Sequence, residues 1–178
     1  MWGRGVAGIL GTMKPFGLAL PLLFAIGLGG CDATRLANLR PGSTMATEVS
    51  ALFGAPAAEW PNPDGSVTWE YPRGPEGTRT WMLTLDPRSV LQSIGQALTE
   101  ENLARIQHGW RPEQVRRLLG KPSGTVRFPQ KAEEVWEWRI APLEPINSAW
   151  FHVHFGPDGR VTGTSRREEA PVGGPDQN

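Results

Sequence analysis

His152 and His154 lie in the run Trp150-Phe151-His152-Val153-His154-Phe155, where apolar and polar side chains alternate. Alternation with period two marks a strand with one buried face. Both imidazoles therefore project from the other face, and that spacing could supply two ligands to a metal ion. Further ligands are not in sight. The single cysteine, Cys31, is remote in sequence, no acidic residue neighbours the histidines, and the matching positions of an earlier, related segment are Met82 and Thr84. No metal and no cofactor is expected. The sequence also lacks a Gly-x-Ser-x-Gly elbow, a His-Glu-x-x-His pair and a phosphate-binding glycine loop, so it is not expected to be an enzyme.

If the chain works by contact, its aromatic residues are the candidates. Of its eight tryptophans, Trp110 lies in a loop between Gly109 and Arg111 and is the candidate partner contact, the alternative being a staple packed on neighbouring helices. A binding face of the inhibitor kind would expose Trp69, Tyr71, Trp136 and Trp138 together on a sheet.

The elements that must position these residues are written twice. Val-x-x-Leu-[Phe/Leu]-Gly-x-Pro occurs as Val49, Leu52, Phe53, Gly54, Pro56 and again as Val115, Leu118, Leu119, Gly120, Pro122. The apolar residues share a helical face, and a glycine followed two positions on by proline stops the helix, with the glycine expected in the left-handed conformation. Thr44 is the expected cap of the first helix, and Pro112 at N1 with Glu113 opens the second. Thr99 should cap a further helix carrying Leu103 and Ile106 and ending near Gly109. Beyond each repeated helix, Trp69-Glu70-Tyr71 answers Trp136-Glu137-Trp138, and residues 81–85 answer 150–155. The turns Asn62-Pro63-Asp64-Gly65 and Gly156-Pro157-Asp158-Gly159 make hairpins. The expected fold class is α+β, a tandem repeat of a two-helix, three- to four-strand antiparallel meander unit. The first unit spans 31–93 and the second 94–165, and a charged, proline- and glycine-bearing tail at 166–178 is expected to be disordered. Each unit alone is small enough to be marginal, so the two should pack together.

The first thirty residues differ in kind. Arg4 and Lys14 flank an apolar run at 16–28 that ends Leu28-Gly29-Gly30-Cys31, a secretory signal with small residues at its cut site. The run is shorter than a membrane span and contains Pro21. It resembles the lipobox of bacterial lipoproteins, which implies cleavage before Cys31 and lipid attachment to its sulfur. Several acyl chains would hold the protein on a membrane. Removing Arg4 and Lys14 from the 18 basic side chains leaves 16 against 18 acidic ones, a slight acidic excess that argues against nucleic acid as the main partner, which would call for a basic face.

Gly42, Thr44, Val49, Leu52, Gly54, Pro56 and Trp69-Glu70-Tyr71 in the first unit carry a resemblance to the SmpA/OmlA (BamE-like) lipoprotein family. In the second unit it rests on residues 99–102, Gly109, Val115, Leu118, Gly120, Pro122 and Trp136-Glu137-Trp138. The fold is shared with β-lactamase inhibitory proteins, which also use a tandem of the unit and act by binding. The resemblance implies a non-enzymatic, lipid-anchored, periplasm-facing lipoprotein, an accessory of outer-membrane β-barrel assembly or envelope integrity, with envelope proteins as partners. The alternative is a periplasmic protein-binding or inhibitor module. Neither nucleic acid nor a small-molecule substrate is expected. The outer membrane is the expected address, with the inner membrane open because Asp32 follows Cys31.

Overall fold

The structure, a computed structural model, describes residues 32–73, 77–145 and 147–170. The leader at 1–30, the lipid-attachment candidate Cys31 and residues 171–178 of the tail lie outside the described residues. The first half runs α1 (Asp32–Ala37), α2 (Ala46–Phe53), β1 (Ala58–Pro61), β2 (Val67–Pro72), β3 (Thr80–Leu85) and β4 (Leu91–Gln96). The second runs α3 (Glu100–Ala104), α4 (Pro112–Leu119), β5 (Gly124–Phe128), a 3-10 turn at Pro129–Lys131, β6 (Glu133–Ile140), β7 (Ser148–Phe155) and β8 (Val161–Glu169). Each set of four strands is an antiparallel meander, β1-β2-β3-β4 and β5-β6-β7-β8.

This corrects the expected fold class. Strand accounts for 41% and helix for 21%, so the molecule is mostly two four-stranded antiparallel sheets with a few small helices, not a repeat of two-helix units. The helices stay small because each is stopped early. Beyond α3, Gly109 N–H donates to Val161 O and Val161 N–H to Trp110 O, so this segment pairs with the start of β8 instead of extending the helix to Gly109. Among the described residues no helix is long and apolar enough to cross a membrane.

Alternation decides which face each sheet buries. In the first sheet Tyr71, Leu83 and Leu85 meet Val49 of α2 and Leu39, with Trp69, Trp81, Leu36, Leu52 and Phe53 at the margin. In the second, Trp138, Ile140, Phe151, Val153 and Phe155 meet Leu103, Val115 and Leu119. Burying each large apolar side chain contributes roughly 1.5–3 kcal/mol.

Helix α2 ends at Gly54 and α4 at Gly120, with φ/ψ of 79°/−164° and 79°/−172°. This is not the left-handed helical cap anticipated. It is an extended conformation at positive φ that is open essentially to glycine alone, and it turns the chain straight towards the first strand. An aromatic tip fixes each stop: Tyr71 Oη donates to Gly54 O at 3.1 Å and Trp138 Nε1 to Gly120 O at 3.1 Å. The helix starts are also alike, since Met45 N–H donates to the Glu48 carboxylate and Arg111 N–H to the Gln114 amide oxygen. Thr44 is therefore not the cap; its hydroxyl accepts from Arg40 N–H inside the preceding turn. Thr99 does cap α3, accepting from Asn102 N–H.

Two boundaries also move. The division at 93/94 falls inside β4, and β8 continues through Arg166, Arg167, Glu168 and Glu169, which had been assigned to the tail. Those charges are engaged. Arg166 reaches Glu100, Glu168 and Ala141 O, and Arg167 stacks on Trp150, as befits an edge strand.

Tyr71 is the only tyrosine, and burial first, then the charge of Glu59, raises its pKa from 10.0 to about 12. The folded state thus favours the neutral phenol. The associated stability, roughly 2–3 kcal/mol, is complete below pH 10 and is lost as pH rises towards 12. Tyrosinate absorbance should titrate late in the folded protein and normally after unfolding, and Tyr71→Phe should flatten the fall of Tm across this window.

Candidate functional site

The two sheets differ most on their outer faces, the sides turned away from the cores just described. On the first sheet this face carries Trp60, Thr68, Glu70, Thr80 and Met82 in register. Glu70 is fully buried there, and the end of α4 buries it. Lys121 N–H donates to Glu70 Oε1 at 2.7 Å, Trp60 Nε1 donates to Oε2 at 3.1 Å, and the Arg116 Nε lies 3.5 Å from Oε2 as an ion pair. The Arg116 and Arg117 guanidinium groups lie over the Trp60 ring, and Arg117 Nη2 donates to Pro61 O at 2.8 Å. Helix α4 thus serves both halves. Val115 and Leu119 enter its own core, and Arg116, Arg117 and Gly120 close on the first sheet.

On the second sheet the matching face carries Val126, Phe128, Glu133, Val135, Glu137, Trp150, His152, His154 and Ser165. No element of the described residues covers it as α4 covers Glu70: Val126 is 49% and Phe128 44% exposed. His152 Nε2 is 3.1 Å from Glu137 Oε2, and His154 Nδ1 is 2.7 Å from Glu133 Oε1. The other nitrogen of His154 lies 2.9 Å from Ser165 Oγ. At the far end Trp150 lies between the Arg139 and Arg167 guanidinium groups, 5.5 and 4.8 Å from its ring. Beside Phe128 a cleft of about 420 Å³ opens towards Trp136, Phe155, Pro112, Pro129 and Pro157. The face thus offers exposed apolar contact, fixed hydrogen-bonding groups and stacked cations side by side, which is what protein recognition uses.

The structure brings His152 and His154 together as the alternation implied, each against a carboxylate. Trp110 is half-buried. It packs against the second core, at the N′ position of α4 with Val115 at N4, which is the staple arrangement. The aromatic cluster expected on an exposed sheet face does not form. Tyr71 and Trp138 are buried, Trp69 and Trp136 pack at the margins of the cores, and all four point towards the helices. Glu133, Glu137 and Ser165 were missed as companions of the histidines. The signal that finds them is register: with Trp136 opposite Val153, Glu137 must face His152, and Glu133 falls diagonal to His154.

No protein-family model matches the sequence, and no curated protein is similar to it. Among solved structures, similarity extends to a candidate β-lactamase inhibitor protein from Streptococcus mutans, with 13% identity over 76% of this chain and 94% of that one and a TM-score of 0.32. A DUF4309 family protein from Bacillus subtilis gives 16% identity, 75% and 83% coverage and a TM-score of 0.29. An extracellular protein containing an SCP domain from Bacillus anthracis gives 11% identity, 78% and 51% coverage and a TM-score of 0.29. One of these three is described as an inhibitor protein, and no SmpA/OmlA lipoprotein is among them.

The pair Glu70 and Glu137 separates the two faces energetically. Removing a buried, bonded carboxylate strands its partners, so Glu70→Ala should lower stability by about 3 kcal/mol. Glu137, at 30% side-chain exposure, should cost under about 1 kcal/mol on the same change. Denaturant midpoints of the two variants measure the difference.

Proposed function

We propose that this chain is a non-enzymatic protein-binding module, held at a membrane surface through Cys31, and that it binds through the outer face of the second sheet. One observation carries the reading. The equivalent face of the first sheet is a protein–protein contact made within the chain, and no element among the described residues covers the same kind of surface on the second sheet. Lipid attachment and a periplasm-facing position rest on the leader sequence alone. Assembly of outer-membrane β-barrels is a narrower version that rests on the SmpA/OmlA resemblance, with inhibition of a periplasmic enzyme as its counterpart.

A second reading has one specific observation in its favour. Ser165 Oγ, His154 and Glu133 are hydrogen-bonded in the order nucleophile, base and orienting acid. Acyl transfer also needs donors aimed at the developing oxyanion, and backbone N–H groups within a sheet lie in its plane and are spent in the ladder. The network therefore serves better to hold His154 upright on a binding face.

The full chain, tagged and recovered from detergent-solubilised membranes, should retain partner proteins that Val126→Glu and Phe128→Glu lose while their circular dichroism spectra stay unchanged. Undiminished recovery by both variants would overturn the surface assignment, and barrel-assembly subunits among the partners would establish the narrower version. An activity-based serine probe should leave the protein unlabelled; labelling that disappears in Ser165→Ala and His154→Ala would reverse the choice between binding and catalysis.

A further inference from the structure

The contact between α4 and the first sheet is a template, and its two sides recur elsewhere in the chain, where no element among the described residues covers them. Sheet register superposes Glu137 on Glu70, Val126 on Trp60 and His152 on Met82, and the irregularities at Thr84/Leu85 and His154/Phe155 fall at matching positions. On the helix side, Gly54 matches Gly120, so Ser50, Ala51 and Ala55 match Arg116, Arg117 and Lys121. Gly120 is in contact: a Cβ there would come within 2.6 Å of Thr80 Cγ2 and 3.3 Å of Met82 Cε. A Cβ on Gly54 would meet nothing within 4 Å, and Ala51, Gly54 and Ala55 are exposed. Among the described residues the chain therefore carries one open copy of each side of a joint it has already made once.

The differences between the copies match. Among the described residues Glu70 has no ion-pair partner within its own sheet, and the arriving helix brings Arg116 to it and lays Arg116 and Arg117 on Trp60. Glu137 already has a hydrogen-bond partner in the His152 ring at 3.1 Å, and Val126 offers no aromatic face. An occupant there needs no arginine, and small uncharged residues suit it. Ser50 and Ala51 of α2 are such residues, and the N–H of Ala55 stands where that of Lys121 bonds Glu70.

We infer that the outer face of the second sheet receives the end of α2 from a second copy of this chain, so that copies join head to tail. This rests on the reading that the face is a binding surface and names its occupant. Donor and acceptor surfaces are different, so each joined copy keeps one of each free, and the assembly grows as a row or closes as a ring.

The test uses the full chain in its membrane, expressed in two differently tagged forms, with a photoreactive residue substituted at Val126, the counterpart of the Trp60 that Arg117 covers. Illumination should give products containing both tags and extending past the dimer, and Ala51→Glu, which sets a carboxylate against the apolar Val126, should abolish them. Products with both tags that persist in Ala51→Glu would overturn the assignment to α2. Products containing only another protein would overturn self-association and leave the binding face standing. No product at all would overturn both.

Discussion

A carboxylate withdrawn completely from water must be met by donors, and the donors that meet Glu70 determine how the two halves of this molecule sit. They are Trp60 Nε1 across the same sheet and the Lys121 N–H at the end of α4, with the Arg116 guanidinium beside them as an ion-pair partner. None of these can move far without leaving a buried charge exposed to an apolar surrounding. Because α4 also carries Val115 and Leu119 into its own core, the requirement at Glu70 is passed to the whole second sheet. The linker follows the same logic, with the Gln96 and Asn102 side chains bonding backbone groups at residues 80, 96, 97 and 98.

The glycine stops work together with that joint. An ordinary cap would leave the chain running alongside its helix, whereas positive φ with extended ψ sends it directly to the first strand. The tyrosine in one half and the tryptophan in the other donate to the glycine carbonyl at the same distance although their rings differ. What has been kept is the position of a donor, and any aromatic long enough to deliver it serves. At Gly120 the missing Cβ has a second use, since Thr80 occupies the space.

Much of this was legible in the sequence, where local signals act alone. Alternation identified the buried side of β7 from Phe151, Val153 and Phe155, and glycine with proline identified the ends of α2 and α4. Thr99 and Pro112 marked helix starts correctly. The rest depended on partners that no local pattern reveals. Glu70 looks like any strand glutamate until a backbone N–H 51 residues away is brought to it. Glu137 and His152 become neighbours only when the hairpin register is known. Arg166 to Glu169 read as a solvated tail because an edge strand is made of the same residues as one. Trp110 offered two readings in a loop, and its packing against the second core, ahead of α4, shows the staple position.

The irregularities shared by β3/β4 and β7/β8 have a consequence for how the molecule keeps to itself. Each interrupts the ladder next to a sheet edge, at Thr84/Leu85 and at His154/Phe155. A bulge adds local twist and breaks the even run of backbone groups that another strand would need to add on. In β8 the charged residues 166–169 reinforce the same obstacle. The edge strands β4 and β8 are thus poor seeds for fibrous, edge-to-edge stacking, and on that side of each sheet contact with other molecules is steered to the faces, where side chains rather than bare backbone decide what is accepted.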